Sequence, residues 1–471
     1  MTQSQQQPEA TPAPGQEPLG RVHFIGIGGV GMSAVARILV ARGVEVSGSD
    51  AKDLPVMADL AAAGARICVG YSAANLSDAQ TVVAGSAIRP DNPELAAARD
   101  AGLPVLHRSE ALAAAMGGDT VVAVAGTHGK STTTSMIAVL LKGAGLDPSF
   151  AIGANVPALG VNAAHGSSDI FVAEADESDA SFLNYRPHIA VVTNVEPDHL
   201  DHYGTAEAVY ASFDRFTALL PADGVLVACA DDPGARDLAR RTLGRGNTRV
   251  VLYGTGDDAG VRLHDGGPGQ VWISTPDGRF PVELRVPGRH NALNAAAAFA
   301  VALELGVAPE TAAAALSQFS GASRRFEFKG EGAGVRVYDD YAHHPTEVRA
   351  AMDAARSVAG THRVHVLFQP HLFSRTREFA EEFAHSLNLA DTALVLDIYP
   401  AREDPIPGVS SRLIADHLGP GGRLVGSGED AVRALVAAVA PGDIVLTVGA
   451  GDVTAYAPLI VETLTVGAPG G

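Results

Sequence analysis

The sequence predicts an α/β protein of three successive blocks, each alternating strand and helix. Three observations carry this expectation. The chain has 471 residues, and domains of ~100–200 residues make that about three. Hydrophobic residues make up 46% and charged residues 18%, enough to fill several buried cores. Short apolar runs also recur, each ending in a glycine-rich or polar turn that opens an amphipathic stretch.

Residues 1–18 are rich in Gln and Pro and have neither a basic start nor an apolar run. They read as a disordered tail and not as a signal peptide. The first block then opens with a strand, Val22 to Gly26, and a G-x-G-x-x-G turn over Gly26-Ile-Gly28-Gly29-Val30-Gly31. A helix over Met32 to Arg42 follows, then a strand over Val44 to Ser47 and the acidic Asp50. Such a turn between strand and helix presents backbone N–H groups to a diphosphate, and the acidic residue accepts from a ribose hydroxyl. Further strands are expected at Thr81 to Ala84 and Pro104 to His107.

The second block opens on Val121-Val-Ala-Val-Ala125, a buried strand, followed by Gly126-Thr127-His128-Gly129-Lys130-Ser131 and a helix from Thr132 to Leu141. This is a polyphosphate cradle: Lys130 brings a point charge and Ser131 a hydroxyl for Mg²⁺. The turn is short, because Val124 stands where a standard P-loop has its first glycine. Asp169 to Glu174 and Ile189 to Val195 are further buried strands; the second leads into Glu196-Pro-Asp198-His199. Ligands collect at the carboxyl ends of strands in open parallel sheets. Glu174 is thus a candidate Mg²⁺ ligand with Ser131, and His199 a further one. Asp176, Glu177 and Asp179 read as a solvated acidic loop. An Ala-rich helix, Ala295 to Leu305, follows Asn291 and Asn294, whose side chains either cap it or face a nucleotide.

The third block has strands at Val335 onward, Val364 to Phe368, Leu394 to Asp397 and Ile444 to Val448, with Pro345 in the first turn of a helix. His343, His344 and His371 stand at strand ends with arginines nearby and are expected to line a site.

Net charge is −19, which argues against nucleic acid or an anionic membrane as partner. Only four lysines occur, and one of them is Lys130, so its place in the turn is informative. Two cysteines, Cys68 and Cys229, are far apart in apolar runs and read as buried thiols of a reducing cytoplasm. No apolar stretch is long enough to span a membrane.

The set as a whole resembles the Mur ligase family. The carrying segments are His23-Phe-Ile-Gly-Ile-Gly-Gly-Val-Gly-Met-Ser33, Gly126-Thr-His-Gly-Lys-Ser131, Glu174-Ala-Asp-Glu-Ser-Asp-Ala-Ser-Phe182 and Asn194-Val-Glu-Pro-Asp-His199. Arg325-Phe-Glu327, Asp339-Asp-Tyr-Ala-His-His-Pro-Thr-Glu347 and Gln369-Pro-His371 continue the match, in order, over about residues 20 to 455. The shortened phosphate turn is the form this family has, and His128 with the His-His-Pro segment points to its alanine-adding branch.

The resemblance implies a Rossmann-like UDP-sugar domain over 19–117, a central P-loop-type ATPase domain over 118–321, and a Rossmann-like amino-acid domain over 322–471. It implies a cytoplasmic, ATP-driven joining of L-alanine to the lactoyl carboxylate of UDP-N-acetylmuramate through an acyl phosphate, a step of peptidoglycan precursor synthesis. ATP would meet Gly126, Thr127, His128, Gly129, Lys130, Ser131, Thr132, Asn291, Asn294, Arg325 and Asp340. The UDP-sugar would meet Gly28, Gly29, Val30, Gly31, Asp50, Ser86, His128 and Ser178. Tyr341, His343, His371 and Arg375 would form the alanine pocket. Mg²⁺ would sit on Ser131, Glu174 and His199, as two ions replaceable by Mn²⁺. Lys130, His199, Arg325 and His343 would be catalytic, His343 as the base. A monomer or homodimer is expected.

Two departures from the family stand out. Leu372 replaces the arginine often found after the histidine matching His371, and no lysine lies between Lys142 and Lys329, so a carbamylated lysine is unavailable for the second metal. Three other readings stay open on the residues alone. One is a recycling ligase that attaches a ready-made peptide. The second is an NAD-dependent oxidoreductase, from Gly26 to Gly31 with Asp50. The third is a nucleotide-gated binding protein.

Overall fold

The computed structural model describes residues 19–85, 88–246, 248–267, 269–401 and 403–466. The tail over 1–18, the chain end from 467 and Ser86 lie outside these residues. The chain divides into two compact units. One runs to Gly153 and adds Val161–Val261 and Ala300–Val307; the other holds Ala154–Gly160, Arg262–Phe299 and the residues from Ala308 onward.

The first unit holds two largely parallel sheets. Strands β1 (Val22–Ile25), β2 (Val46–Asp50), β3 (Arg66–Val69), β4 (Thr81–Ala84) and β5 (Val105–His107) lie in the order β3-β2-β1-β4-β5. All their pairings are parallel. Chain order reverses at β1, so the turn after β1 opens at the switch point where ligands bind. The helix after that turn is Val30–Ala41 and begins inside the glycine motif.

The second sheet of this unit uses β6 (Thr120–Ala125), β7 (Ser149–Ala151), β8 (Ala163–Ala164), β9 (Ile170–Glu174), β10 (Ile189–Val192), β11 (Val225–Cys229) and β12 (Arg249–Gly254). Their order is β12-β11-β10-β6-β9-β7-β8. Strands β10, β6 and β9 are therefore neighbours, in parallel register with Val192 opposite Ala125 and Val124 opposite Glu174. Both faces are covered, which is why these strands are near-continuous apolar runs. Phe182 stacks on Phe216 at 4.8 Å and meets Phe213 edge-on at 5.4 Å, closing one side of the core.

The helix after β6 is Lys130–Gly143 and is buried from Ser131 to Leu141. Its first turns are rich in Ser and Thr, which would be costly if their hydroxyls went unpaired. Thr134 Oγ1 donates to the Lys130 carbonyl at 2.8 Å and Ser135 Oγ to the Ser131 carbonyl at 2.6 Å. This back-bonding lets Thr134 and Ser135 sit in the core, whereas the buried Thr133 Oγ1 has no hydrogen-bond partner among the described residues.

The second unit begins with an antiparallel meander, β13 (Val261–Asp265), β14 (Gln270–Thr275) and β15 (Gly278–Glu283). Its main sheet contains β16 (Glu327–Gly332), β17 (Val335–Asp340), β18 (Val364–Phe368), β19 (Thr392–Val395), β20 (Gly422–Leu424) and β21 (Ile444–Val448), ordered β16-β17-β21-β18-β19-β20. Only the β16–β17 pair is antiparallel. The expected helix starts at Pro345, which occupies its first turn.

Several boundaries differ from expectation. The Ala-rich helix runs Arg289–Glu304, so Asn291 and Asn294 lie in its first two turns and not at the cap position. Cys229 is buried, but Cys68 on the edge strand β3 is only half-buried.

Candidate active site

In the first unit, three neighbouring strand ends converge as the sequence expected. The turn after β6 needs glycine at its first position. Gly126 has φ +137°, and a Cβ there would stand 2.0 Å from Thr193 Oγ1 at the end of β10. Thr193 Oγ1 and Asn194 Nδ2 both donate to the His128 carbonyl, at 2.6 and 3.0 Å. Asn194 Oδ1 accepts from the His128 N–H at 2.8 Å. The turn is thus held from β10 rather than by its own length, which explains how a shortened loop keeps its shape.

Lys130 folds back over this turn. Its Nζ donates to the Gly126 carbonyl at 2.8 Å, the Thr127 carbonyl at 3.1 Å and Glu177 Oε1 at 2.8 Å. Glu177 is 2% exposed, so the reading of residues 176 to 179 as a solvated loop is wrong for Glu177. The acidic run does not follow water; the chain turns inward after β9 and places this carboxylate on the lysine. Burial pushes the Glu177 carboxyl up to about 7 against the opposing pull of Lys130. Burial pulls the Lys130 ammonium down, but the Glu177 and Asp176 carboxylates outweigh it and hold it above its ordinary value.

Ser131 Oγ donates to Glu174 Oε1 at 3.0 Å, and Glu174 Oε2 accepts from the Gly153 N–H at 2.7 Å. These are two hard oxygen donors side by side at a strand end, the set that Mg²⁺ takes. His199 has left-handed backbone, φ +55°. Its Nε2 lies 3.7 Å from both Glu177 Oε1 and Asp198 Oδ2. His128 Nε2 lies 3.4 Å from Glu196 Oε2. Thr132 is buried in the first helical turn.

The Gly26–Gly31 turn is equally constrained. A Cβ on Gly28 would stand 2.5 Å from Leu54 Cδ1 and 3.0 Å from Asp50 Oδ2. Asp50 Oδ2 accepts from the Gly28 N–H at 3.0 Å, so the residue expected at a ribose also ties down the turn. Val30 is 61% exposed at the helix start. Sequence reasoning missed Arg108, whose Nη1 would touch a Cβ on Gly31 at 2.7 Å. Its Nη2 lies 4.0 Å from Asp176 Oδ2, and Asp176 Oδ1 accepts from the Ser178 N–H at 3.0 Å. Ser178 and Gly31 are thereby linked through Arg108. A lone arginine opening a helix carries no motif that would have flagged it.

In the second unit, Arg325 sits with its guanidinium 5.2 Å from the Tyr341 ring and 4.0 Å from Glu347 Oε1. Asp340 accepts from the Phe326 N–H and the Ala342 N–H, both at 2.8 Å. Burial pushes its carboxyl up to about 6, partly offset by Arg325. Arg324 and Phe326 both have positive φ, so Asp340 braces a strained segment. Asn291 Nδ2 donates to the Pro287 carbonyl at 2.6 Å, and Asn294 is buried.

His343 Nδ1 lies 3.1 Å from the Tyr341 carbonyl and 3.4 Å from Glu347 Oε2. Its ring is 5.9 Å from that of His371. Arg375 is buried in the helix Phe373–Glu378. The sequence grouped His344 with these, but its ring accepts from the Thr346 N–H as a helix cap and packs edge-on against Phe379.

Family models match in chain order: "Mur ligase family, catalytic domain" over residues 21–120, "Mur ligase middle domain" over 124–302 and "Mur ligase, glutamate ligase domain" over 324–451. The chain belongs to the Mur ligase family. It is 82% identical to the UDP-N-acetylmuramate–L-alanine ligase of Arthrobacter sp. (strain FB24), covering 97% of each chain. It is 64% identical to the enzyme of that name from Renibacterium salmoninarum, over 95% of this chain and 96% of the other. Among solved structures, the UDP-N-acetylmuramate–alanine ligase of Thermotoga maritima is similar at TM-score 0.75 and 29% identity, covering 94% of this chain and 98% of that one. A murein peptide ligase from Psychrobacter arcticus gives 0.68 and 27%, with the same coverage. Both structural neighbours match this chain over nearly its full length.

Proposed function

We propose that this Mur ligase joins L-alanine to the lactoyl carboxylate of UDP-N-acetylmuramate, with ATP as energy source and Mg²⁺ as cofactor. The observation that carries the reading is the Lys130–Glu177 pair beside Ser131–Glu174, at adjoining strand ends. A cation and a metal-type oxygen pair there suit a γ-phosphate under attack by an anion. The names of relatives at 64–82% identity support the same substrates.

A carboxylate oxygen bonds to the γ-phosphorus and the bond to the bridging oxygen breaks, releasing ADP. The amine nitrogen then bonds to the acyl carbon, its proton goes to a base, and inorganic phosphate leaves. Lys130 exchanges its Glu177 partner for phosphate oxygens and orients them. A bound Mg²⁺ supplies charge neutralisation at the triphosphate; Ser131 and Glu174 hold it, and His199 meets a second ion. Mn²⁺ substitutes for either. Gly28, Gly29, Val30, Gly31, Asp50, Ser86 and Ser178, with His128, bind the UDP-sugar. Arg325 meets the γ-phosphate, Asp340 the ribose, and Asn291 and Asn294 the adenine. Tyr341, His371 and Arg375 hold the amino acid. With Nδ1 donating to the Tyr341 carbonyl, the lone pair of His343 is on Nε2, which takes the proton.

Domain limits at 118 and 322 are part of this proposal, as is a cytoplasmic setting. Among the described residues no helix is long and apolar enough to cross a membrane. Phosphate release in the presence of UDP-N-acetylmuramate, Mg-ATP and L-alanine, each omitted in turn, tests the reading. Release must need all three, and an acceptor tripeptide must not replace L-alanine. Release that ignores the amino acid contradicts the ligase.

A further inference from the structure

The two side chains assigned to the amino-acid pocket from beyond β18 stand on a segment that a second loop ties down. His371 and Arg375 lie on a sharp turn into a helix of six residues, Phe373–Glu378. Leu372 has φ +71°, a left-handed value for a branched residue. A helix this short has little stability of its own, and strained backbone persists only where its surroundings over-determine it.

Thr376 Oγ1 donates to the Leu372 carbonyl at 2.8 Å, and further bracing comes from the loop after β19. The Leu372 N–H donates to the Tyr399 carbonyl at 3.0 Å, and the Tyr399 N–H to the Pro370 carbonyl at 2.8 Å. This is a single parallel bridge between His371 and Tyr399, beyond the end of the sheet. Above it the Tyr399 ring lies nearly parallel to the His371 ring, 12° apart in plane and 5.8 Å between centroids. Gly451 presses on the same tyrosine: a Cβ there would meet Tyr399 Cγ at 2.6 Å. Tyr399 also lines a cavity of about 340 Å³ with Gln369, Asp397, Ser427 and Tyr456.

Four residues on, Glu403 grips the helix itself. One carboxylate oxygen accepts from the Ser374 N–H at 2.9 Å and the other from Ser374 Oγ. Ser374 immediately precedes Arg375. Charge-assisted bonds of this kind are about twice as strong as neutral ones. The carboxylate therefore fixes the rotation of the turn that aims the guanidinium.

We propose that Tyr399 and Glu403 are positioning residues for the amino-acid pocket, Tyr399 holding the His371 ring and Glu403 the Arg375 helix. The loop after β19 then sets how closely the pocket fits a small amino acid. This rests on the assignment of His371 and Arg375 to that pocket. Alanine, glycine and serine differ by one small group, a discrimination worth only about 10–200-fold. A pocket wall that slackens by a fraction of an ångström erases such a margin.

Steady-state kinetics with each of the three substrates varied tests this on the full chain. Tyr399→Leu removes the flat ring and Glu403→Ala the carboxylate. Each is expected to raise KM for L-alanine at least tenfold, with KM for ATP and for UDP-N-acetylmuramate within twofold. The preference for L-alanine over glycine in kcat/KM is expected to fall at the same time. Tyr399→Phe keeps the stack and Glu403→Gln keeps one acceptor, so both should recover most of the affinity, a rescue that separates positioning from general instability. An unchanged KM for L-alanine, or a joint rise in all three constants, overturns the proposal. Arg375→Ala serves as the control for the pocket. If it leaves KM for L-alanine unmoved, the pocket assignment fails and the proposal with it. If it raises that KM while the loop variants do not, only the positioning role fails.

Discussion

Lys130→Met probes the buried ion pair at the turn after β6. The variant keeps the bulk of the chain but removes the ammonium, and Glu177 is left with no cation at 2.8 Å. In the native protein the Glu177 carboxyl titrates at about 7 instead of 4.5. Its folded value is raised, so its contribution to stability is complete below 4.5 and is lost as pH rises through about 7. Without Lys130, burial and the Asp176 carboxylate both push it up, and its titration moves higher still. At about pH 6 the carboxyl is neutral in both proteins. There the variant loses the donor to the Gly126 and Thr127 carbonyls, a cost of about 1–3 kcal/mol. Above pH 7 the native carboxylate is paired, whereas the variant must keep the proton or bury a lone anion. That adds about 1.4 kcal/mol per pH unit, or about 2 kcal/mol by pH 8.5. Urea unfolding of the ligand-free protein in chelator at about pH 6 and about pH 8.5 reads the difference. A variant equally destabilised at both pH values refutes the pairing. Phosphate release should vanish in the same variant while UDP-sugar affinity holds; joint loss of both contradicts separate sites.

Other perturbations have definite outcomes. Glu174→Ala removes one of two adjacent oxygen donors and the acceptor of the Gly153 N–H, so half-saturating Mg²⁺ should rise more than tenfold, read by Mn²⁺ binding in electron paramagnetic resonance. Unchanged metal affinity would place the ion elsewhere. Gly28→Ala forces a methyl to 2.5 Å from Leu54; overpacking should cost about 1–3 kcal/mol and raise KM for the UDP-sugar, whereas native-like binding would show the turn is not the diphosphate site. Asp340→Ala strands the Phe326 and Ala342 N–H groups and should cost about 2 kcal/mol in urea unfolding, with the native advantage fading as pH rises through about 6. A loss that does not change with pH would deny the raised carboxyl.

The strand ends were legible because glycine spacing and apolar run length report backbone needs directly. Gly126 must approach Thr193, and Val121 to Ala125 must be buried on both faces, and each demand leaves a mark on residue type. Partners brought together by the fold leave no such mark. Glu177 looks like its neighbours Asp176 and Asp179 until β9 and the following turn bury it on Lys130. Arg108 and Glu403 are ordinary surface-type residues whose roles depend on what lies opposite. His344 sits beside His343 in sequence, but helix geometry turns one to the cap and the other toward His371. The antiparallel β16 was missed because its Lys- and Gly-containing run lacks an apolar face at the sheet edge.

The central claim is that the chain activates the substrate carboxylate as an acyl phosphate, and isotope transfer tests it most directly. UDP-N-acetylmuramate carrying ¹⁸O in both lactoyl carboxylate oxygens is turned over with unlabelled ATP and L-alanine, and the released phosphate is analysed by mass spectrometry. One ¹⁸O atom per phosphate is the predicted result, with the other retained in the new amide. Unlabelled phosphate, with both heavy oxygens left on the sugar, would contradict the account.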